Sequence, residues 1–268
     1  MSFYDNRYYY INKTLLSVIG QWPFQSRLEG NVMLVITLFF LGSLTVLELW
    51  GLIAGIKNLS IIMENASPLL INSLIFIKLI NCLYNKDKMK DLLEHIEKTW
   101  KTTQIGPETE ILLNYAEQSK TLIIKYISIL YMLGGLYTTI PVIVSRLYSL
   151  LPTNETYSAR FLYRLEHVLD VDKYFNLLML HAFIGVFFLI SVWAAADGMF
   201  ILCTYHVCAL FEGIRYNMER IRGSDFVAVE PNIADDEAYH IIIGCIKSYK
   251  RALTLVLVAS LNVEMHVV

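Results

Sequence analysis

The sequence predicts an all-α protein that crosses a membrane several times. Its mean hydropathy is +0.49 and 56% of its residues are hydrophobic, more than a soluble domain can bury. Long apolar stretches recur along the chain, and a helix of about 20 apolar residues crosses the roughly 30 Å hydrocarbon core. We therefore expect one membrane domain over residues 1–268, with four spans at about 32–56, 68–84, 122–148 and 176–199.

The longest apolar tract, residues 176–211, exceeds what one bilayer crossing needs. Leu177 to Ala196 holds no charge, and Asp197 follows directly. We expect the helix to continue past the membrane as a stalk over residues 200–211. Asp197 is then either a coupling contact with another helix or a carboxylate satisfied by interfacial water. Residues 252–268 are a partial fifth apolar segment.

The polar segments carry helical patterns of their own. Between residues 85 and 120, apolar side chains recur every three or four positions, which predicts an amphipathic helix that ends at Gly106 and Pro107. Leu15, Leu16 and Ile19 form a similar face before Gly20, which predicts a short interfacial helix. The repeating apolar positions of the longer segment are Met89, Leu92, Leu93, Ile96 and Trp100.

The distribution of positive charge predicts the orientation of the chain. Lys and Arg number six in residues 85–120 and six in residues 212–251, whereas the alternate loops hold few. The positive-inside rule then places the amino terminus in the cytoplasm. Of the glycosylation sequons, Asn154 lies in an outer loop and is the expected acceptor, Asn58 and Asn65 lie close to the bilayer, and Asn12 is inside.

Several function classes are excluded. A net charge of -2 offers no surface for nucleic acid. We expect no enzyme, because Asp197 has no second Asp within a span and no phosphate loop or nucleophile elbow occurs. We expect free thiols, because Cys82, Cys203, Cys208 and Cys245 all map to the cytoplasmic side or to inner halves of spans. We expect no cofactor and no metal, because Cys203, His206 and Cys208 do not share one helical face.

Two ionisable residues lie inside the first two predicted spans. Glu48 is in the distal half of the first and calls for a partner or water, and Lys78 is in the second. A pairing of Glu48 with Lys78 is possible, although their depths do not obviously match. A long Lys side chain near a helix end can also reach the interface.

Three stretches carry a family resemblance: LLSVIGQWPFQS at Leu15 to Ser26, LDVDKYFNLLMLHAF at Leu169 to Phe183, and AADGMFILCTYHVCALFEGIRYNMERI at Ala195 to Ile221. Together they resemble the insect odorant receptors, most closely the hymenopteran tuning receptors, over the chain up to about Arg251. The resemblance implies an inverted seven-span fold with a cytoplasmic amino terminus. It also implies the tuning subunit of a ligand-gated cation channel that works with the shared odorant receptor coreceptor, in the plasma membrane of olfactory neuron dendrites.

The end of the chain departs from the resemblance. Thr254 to Val268 does not match the continuation of the family, whose last two spans include the one that lines the pore. We therefore expect a fragment that cannot form a pore alone.

The resemblance further implies a pocket for small, volatile, apolar ligands in the outer half of the bundle. Affinity would come mainly from buried area, at roughly 25 cal/mol per Å², with one hydroxyl or imidazole setting the orientation. The predicted contacts, each also explicable as helix packing, are Ser73 and Ile77 in the second span, Tyr137, Pro141, Val144 and Tyr148 in the third, and Leu177, His181, Ile184 and Phe188 in the fourth.

Other membrane proteins remain as alternatives. A gustatory-type receptor cannot be separated from an odorant receptor by physical argument alone. A small polytopic transporter or channel subunit would be expected to show inverted repeats, which are not evident. A G-protein-coupled receptor would place the amino terminus outside and glycosylate Asn12 rather than Asn154.

Overall fold

A computed structural model describes residues 3–103, 106–150, 171–223, 239, 241–250 and 252–253. Every regular element in these ranges is helical, which confirms the all-α prediction. A single 3-10 turn covers Phe3–Asp5. The α-helices are Tyr10–Val18 (α1), Arg27–Ala54 (α2), Leu59–Tyr84 (α3), Lys86–Thr102 (α4), Pro107–Leu150 (α5), Val171–Gly223 (α6) and residues 241–250 (α7).

Four of these helices are long and apolar enough to cross a membrane, as predicted. The qualifying segments are Arg27–Ala54, Ile62–Tyr84, Pro107–Val144 and Lys173–Arg220. Large apolar side chains lie on their outer surfaces, including Phe39 at 64% exposure, Leu70 at 66% and Leu136 at 50%. Such continuous apolar surface suits lipid rather than water. The chain is therefore a polytopic membrane protein.

The helix ends differ from the predicted spans. α2 ends at Ala54, and α3 begins at Leu59, well before the predicted start at residue 68. The earlier start follows from Asn58, whose Oδ1 accepts a hydrogen bond from the Ser60 amide at 3.1 Å. Pro68 consequently lies inside α3 rather than at its start. α5 has 44 residues and α6 has 53, so each exceeds the roughly 20 residues of one crossing.

The chain divides into two compact units, which we call unit A and unit B. Unit A comprises Asn12–Tyr84 and Ile124–Ala196, and unit B comprises Met1–Ile11, Asn85–Ile123 and Asp197–Val268. In unit A, Leu15, Leu16 and Ile19 are buried, so the apolar face of α1 packs against protein.

Unit B contains the amphipathic helix predicted in the first polar segment. On α4, Met89, Leu92, Leu93 and Ile96 are all buried, which confirms the predicted face. Trp100 donates a hydrogen bond from Nε1 to the Tyr9 hydroxyl at 2.5 Å. Its indole also packs against the Phe3, Tyr8 and Tyr9 rings. These contacts attach the amino-terminal segment to α4.

Candidate ligand-binding cavity

Unit A contains an open cavity of about 490 Å³, a volume typical of small-molecule sites. All four long helices contribute to its wall. The lining residues are Leu44 and Glu48 from α2, Glu64, Ser67, Pro68 and Ile71 from α3, Leu130, Leu133, Gly134 and Tyr137 from α5, and Val186, Leu189, Ile190 and Trp193 from α6.

Two glycines allow the helices to approach closely around this cavity. A Cβ added at Gly134 would lie 2.0 Å from Cδ1 of Ile190, and one added at Gly185 would lie 2.5 Å from Cδ1 of Leu44. Both neighbours line the cavity. Small residues at helix contacts are characteristic of membrane bundles because they bring backbones together. Gly134 and Gly185 therefore leave room for the side chains that shape the wall.

Glu48 is the buried polar group of the wall. Its exposure is 4%, and its Oε2 accepts a hydrogen bond from Asn72 Nδ2 at 2.8 Å. The partner is therefore Asn72 on α3, whereas Lys78 lies over the Trp193 ring with Nζ 5.9 Å from the ring centroid. A buried carboxyl group needs such a donor, because an unsatisfied one is costly in hydrocarbon.

On α5, the predicted face is close to the observed one. Tyr137, one of the predicted ligand contacts, lies in the cavity wall together with Leu130, Leu133 and Gly134. The lining set therefore runs from Tyr137 toward the start of α5, whereas Pro141 and Val144 lie in the opposite direction and are not among the lining residues. Tyr148 belongs to the same helix, but its side chain lies outside the described residues.

On α6, the predicted residues and the lining residues lie on different faces. His181 Nε2 is 2.7 Å from the Ser43 hydroxyl, and the Phe188 ring stacks on Phe40 at 5.4 Å. Both contacts are with α2. The lining residue Val186 is two positions from Phe188 and thus about 200° around the helix. The predicted face is therefore mainly a packing face.

The other predicted contacts are also absent from the wall of this cavity, and their contact with a ligand stays a prediction. Ser73 is exposed and donates to the carbonyl of Leu69 in its own helix. Ile77 and Leu177 are 47% and 66% exposed, and Ile184 is half-buried. Asn154, the expected glycosylation site, lies outside the described residues.

The sequence prediction missed the lining residues of α2 and α6. α2 contributes Leu44 and Glu48, although no contact was predicted in the first span. A carboxylate inside an apolar run was a usable signal for Glu48. No comparable signal distinguished Leu189 or Ile190 from their apolar neighbours, because burial against a cavity and burial against a helix select the same residue types.

Asp197 and the cysteines lie outside the cavity. Asp197 is half-buried and is the first residue of α6 that belongs to unit B, and its coupling role stays a prediction. Cys82, Cys203, Cys208 and Cys245 are free thiols. Within the described ranges, no three His, Cys, Asp or Glu side chains are grouped so that they could hold a metal ion.

A comparison with protein families gives one match that covers most of the chain. A family model described as "7tm Odorant receptor" matches residues 58–264. The chain belongs to the odorant receptor family. This membership confirms the resemblance to the odorant receptors drawn from the sequence. The matched range ends at residue 264, past Arg251, where the resemblance was expected to end. No curated protein matches this odorant receptor.

Proposed function

We propose that this odorant receptor is the ligand-binding, tuning subunit of a heteromeric ligand-gated cation channel. Its partner is the odorant receptor coreceptor, and its location is the dendritic plasma membrane of olfactory sensory neurons. The observation that carries the proposal is the cavity of about 490 Å³ among α2, α3, α5 and α6, with a mainly apolar wall. Such a site suits a small volatile molecule, which binds chiefly by burying apolar surface.

The charge distribution supports an opening toward the outside. With the amino terminus in the cytoplasm, α2 runs outward and α3 runs inward. The lining residues Leu44 and Glu48 then lie in the outer half of α2, and Glu64 to Ile71 lie in the outer half of α3. An odorant arriving from outside the cell would meet this part of the bundle first.

Tryptophan fluorescence provides a direct test of binding. Trp193 lines the cavity, so a volatile ligand that enters should change its emission when the full chain is purified in lipid nanodiscs. Replacing Trp193 by Phe should remove that change. If no member of a broad panel of volatile alcohols, esters, ketones and amines alters the emission of the unmodified protein, the cavity is not an odorant site.

A matched pair of substitutions separates the cavity from the lipid-facing surface. Leu133 and Leu136 lie on the same helix and are similarly exposed, at 54% and 50%, but Leu133 lines the cavity and Leu136 does not. We expect Leu133→Phe to weaken binding about 5-fold to 150-fold, from the roughly 1–3 kcal/mol typical of overfilled sites. Leu136→Phe should leave affinity unchanged. Equal effects of the two substitutions would contradict the assignment.

The channel role has its own test. We expect a tagged copy of this chain to copurify with the coreceptor from cells that express both, and odorants to evoke cation current only in cells with both chains. Failure to copurify would overturn the proposed partnership, even where Trp193 reports binding.

A further inference from the structure

The charged groups in the cavity wall are both acidic. Glu48 lies inside the wall at 4% exposure, and Glu64 is exposed on the α3 side. Among the lining residues that the structure describes there is no Lys, Arg or His. Lys78 lies over Trp193 at 5.9 Å and is not part of the lining. The cavity wall therefore offers two carboxyl groups and hydrogen-bond acceptors.

The hydrogen bonding of Glu48 leaves capacity for a ligand. Asn72, which is fully buried, donates to Oε2 of Glu48 at 2.8 Å. A carboxylate has about four lone-pair sites, so Oε1 and its remaining sites are available to another donor. The Asn72 amide is neutral and supplies no counter-charge. A cation close to Glu48 would offset the cost of holding a carboxylate in an apolar environment.

The aromatic part of the wall favours the same kind of ligand. Trp193 and Tyr137 both line the cavity. The face of an aromatic ring attracts a cation that lies within about 6 Å of its centroid. The Trp193 ring already has Lys78 Nζ at 5.9 Å from its centroid, so Tyr137 is the ring proposed for a ligand cation. The apolar residues, such as Leu130 and Ile190, suit the hydrocarbon body of a ligand.

From these contacts we infer that the cavity prefers small amines, whose ammonium group is held by Glu48 and whose apolar body packs against the α5 and α6 side chains. This inference rests on the proposed function, because it names the ligand class of the same site. An alcohol of the same shape supplies a hydrogen bond but no positive charge. A hydrocarbon of the same shape supplies neither and leaves Glu48 without a ligand donor.

Calorimetry with three ligands of similar shape tests this preference on the full chain in nanodiscs. The ligands are 2-phenylethylamine, 2-phenylethanol and propylbenzene, and at pH 7 the amine is cationic, as expected for an alkyl ammonium with a pKa of about 10. We expect the amine to bind at least about 10-fold more tightly than the alcohol, since charged hydrogen bonds exceed neutral ones by about that factor.

Two substitutions identify the group responsible. Glu48→Gln keeps an oxygen that can accept from Asn72 but removes the charge, and it should weaken amine binding about 10-fold to 100-fold while changing propylbenzene binding less than about 3-fold. Glu29→Gln removes an exposed carboxylate in the first turn of the same helix and should change neither. Thermal unfolding of each variant checks that it is folded.

The outcomes separate this inference from the proposed function. Equal binding of all three ligands, tighter binding of the alcohol, or an unchanged amine affinity in a folded Glu48→Gln variant would overturn the amine preference. If none of the three binds while other volatiles alter Trp193 emission, the preference fails and the proposed function stands. If Glu48→Gln does not fold, the ranking of the three ligands on the unmodified protein still tests the amine preference.

Discussion

At the residue scale, Gly20 determines how the chain enters the first span. Its φ is +72°, in the left-handed region where a side chain is strained. A Cβ at this position would also lie 2.2 Å from the carbonyl oxygen of Gly30 and 2.7 Å from the amide nitrogen of Leu34. Both neighbours are backbone atoms of α2, which cannot rotate away. Gly20 is therefore required by conformation and by space together.

Replacing Gly20 by Ala should destabilise the protein. The left-handed conformation alone costs about 1–2 kcal/mol for an L-residue, and the backbone overlap adds to it. Gly42→Ala is the matched control, because nothing lies within 4 Å of a Cβ built there and Ala favours a helix. Thermal unfolding in detergent should show a lower midpoint for Gly20→Ala only. An unchanged midpoint would contradict the close approach of Gly20 to α2.

Asn72 is the second residue whose role can be measured directly. We expect Asn72→Ala to lower the free energy of unfolding by about 1 kcal/mol, because interhelical hydrogen bonds in membranes contribute about 0.6–2 kcal/mol. Ser73→Ala should have little effect, since Ser73 is exposed and bonds only within its own helix. Denaturation of the two variants in mixed micelles provides the comparison. Equal losses of unfolding free energy in the two variants would show that the hydrogen bond from Asn72 to Glu48 does not stabilise the protein.

Sequence reasoning at this scale identified individual residues but not their partners. A carboxylate in an apolar run marked Glu48 as a residue in need of a donor. Its donor, Asn72, could not be chosen from the sequence, because the pairing depends on how α2 and α3 are rotated and offset against each other. Tyr137 lies in the cavity wall, whereas Pro141 and Val144 of the same predicted face do not, and contact of Tyr137 with a ligand stays a prediction.

At the element scale, amphipathic helices were easier to predict than fully apolar ones. The buried face of α4 was predicted residue by residue, since a charged background leaves one apolar stripe. α6 is apolar on nearly all sides, so its sequence does not say which face packs on α2 and which faces the cavity. His181 and Phe188 were consequently assigned to the cavity, although both contact α2. α3 begins at Leu59, before the predicted span at about 68–84, so the apolar run alone did not show where the helix starts.

The attachment of the amino-terminal segment to α4 gives a prediction with a pH dependence. Burial raises the pKa of the Tyr9 phenol above its ordinary value near 10, so its contribution to stability is complete below that pH and is lost as pH rises through the raised pKa. Tyr9→Phe should lower the free energy of unfolding by about 1 kcal/mol at pH 8, because the Trp100 Nε1–H loses its acceptor.

The same variant should also show a weaker loss of stability between pH 8 and pH 11 than the unmodified protein. Tyr10→Phe is the control, since Tyr10 is 57% exposed. Chemical denaturation followed by circular dichroism at several pH values measures both effects. A variant at Tyr9 that keeps the full alkaline loss would contradict the burial of this phenol.

At the scale of the whole molecule, the number of spans followed from the sequence and their mutual arrangement did not. Four apolar tracts predicted four membrane helices, because covering about 30 Å of hydrocarbon requires such tracts whatever the fold. The cavity depends on contacts such as Gly134 with Ile190 and Gly185 with Leu44, which join residues far apart in the chain. Small residues are common in every membrane bundle, so their presence does not reveal which pairs meet.

The orientation of the whole chain can be tested by glycan mapping after expression in insect cells. We expect a glycan at Asn154, since its loop is predicted outside. Asn12 and Asn65 should carry none, because their exposures are 2% and 0%. On a gel, Asn154→Gln should therefore lower the apparent mass of the protein by that of one glycan. Asn12→Gln should leave the apparent mass unchanged. A glycan at Asn12 would reverse the proposed orientation.

The contact between Gly134 and Ile190 has a consequence for how the range of accepted odorants changes. The two residues share one small space, so a methyl group gained on α5 must displace the Ile190 side chain. Because Ile190 also lines the cavity, its displacement changes the shape presented to a ligand. The size limit for a ligand is thus adjustable by a single substitution at a helix contact, without altering any group that recognises the ligand chemically. The size limit for a ligand and the preference for its chemical groups can therefore evolve separately in this receptor.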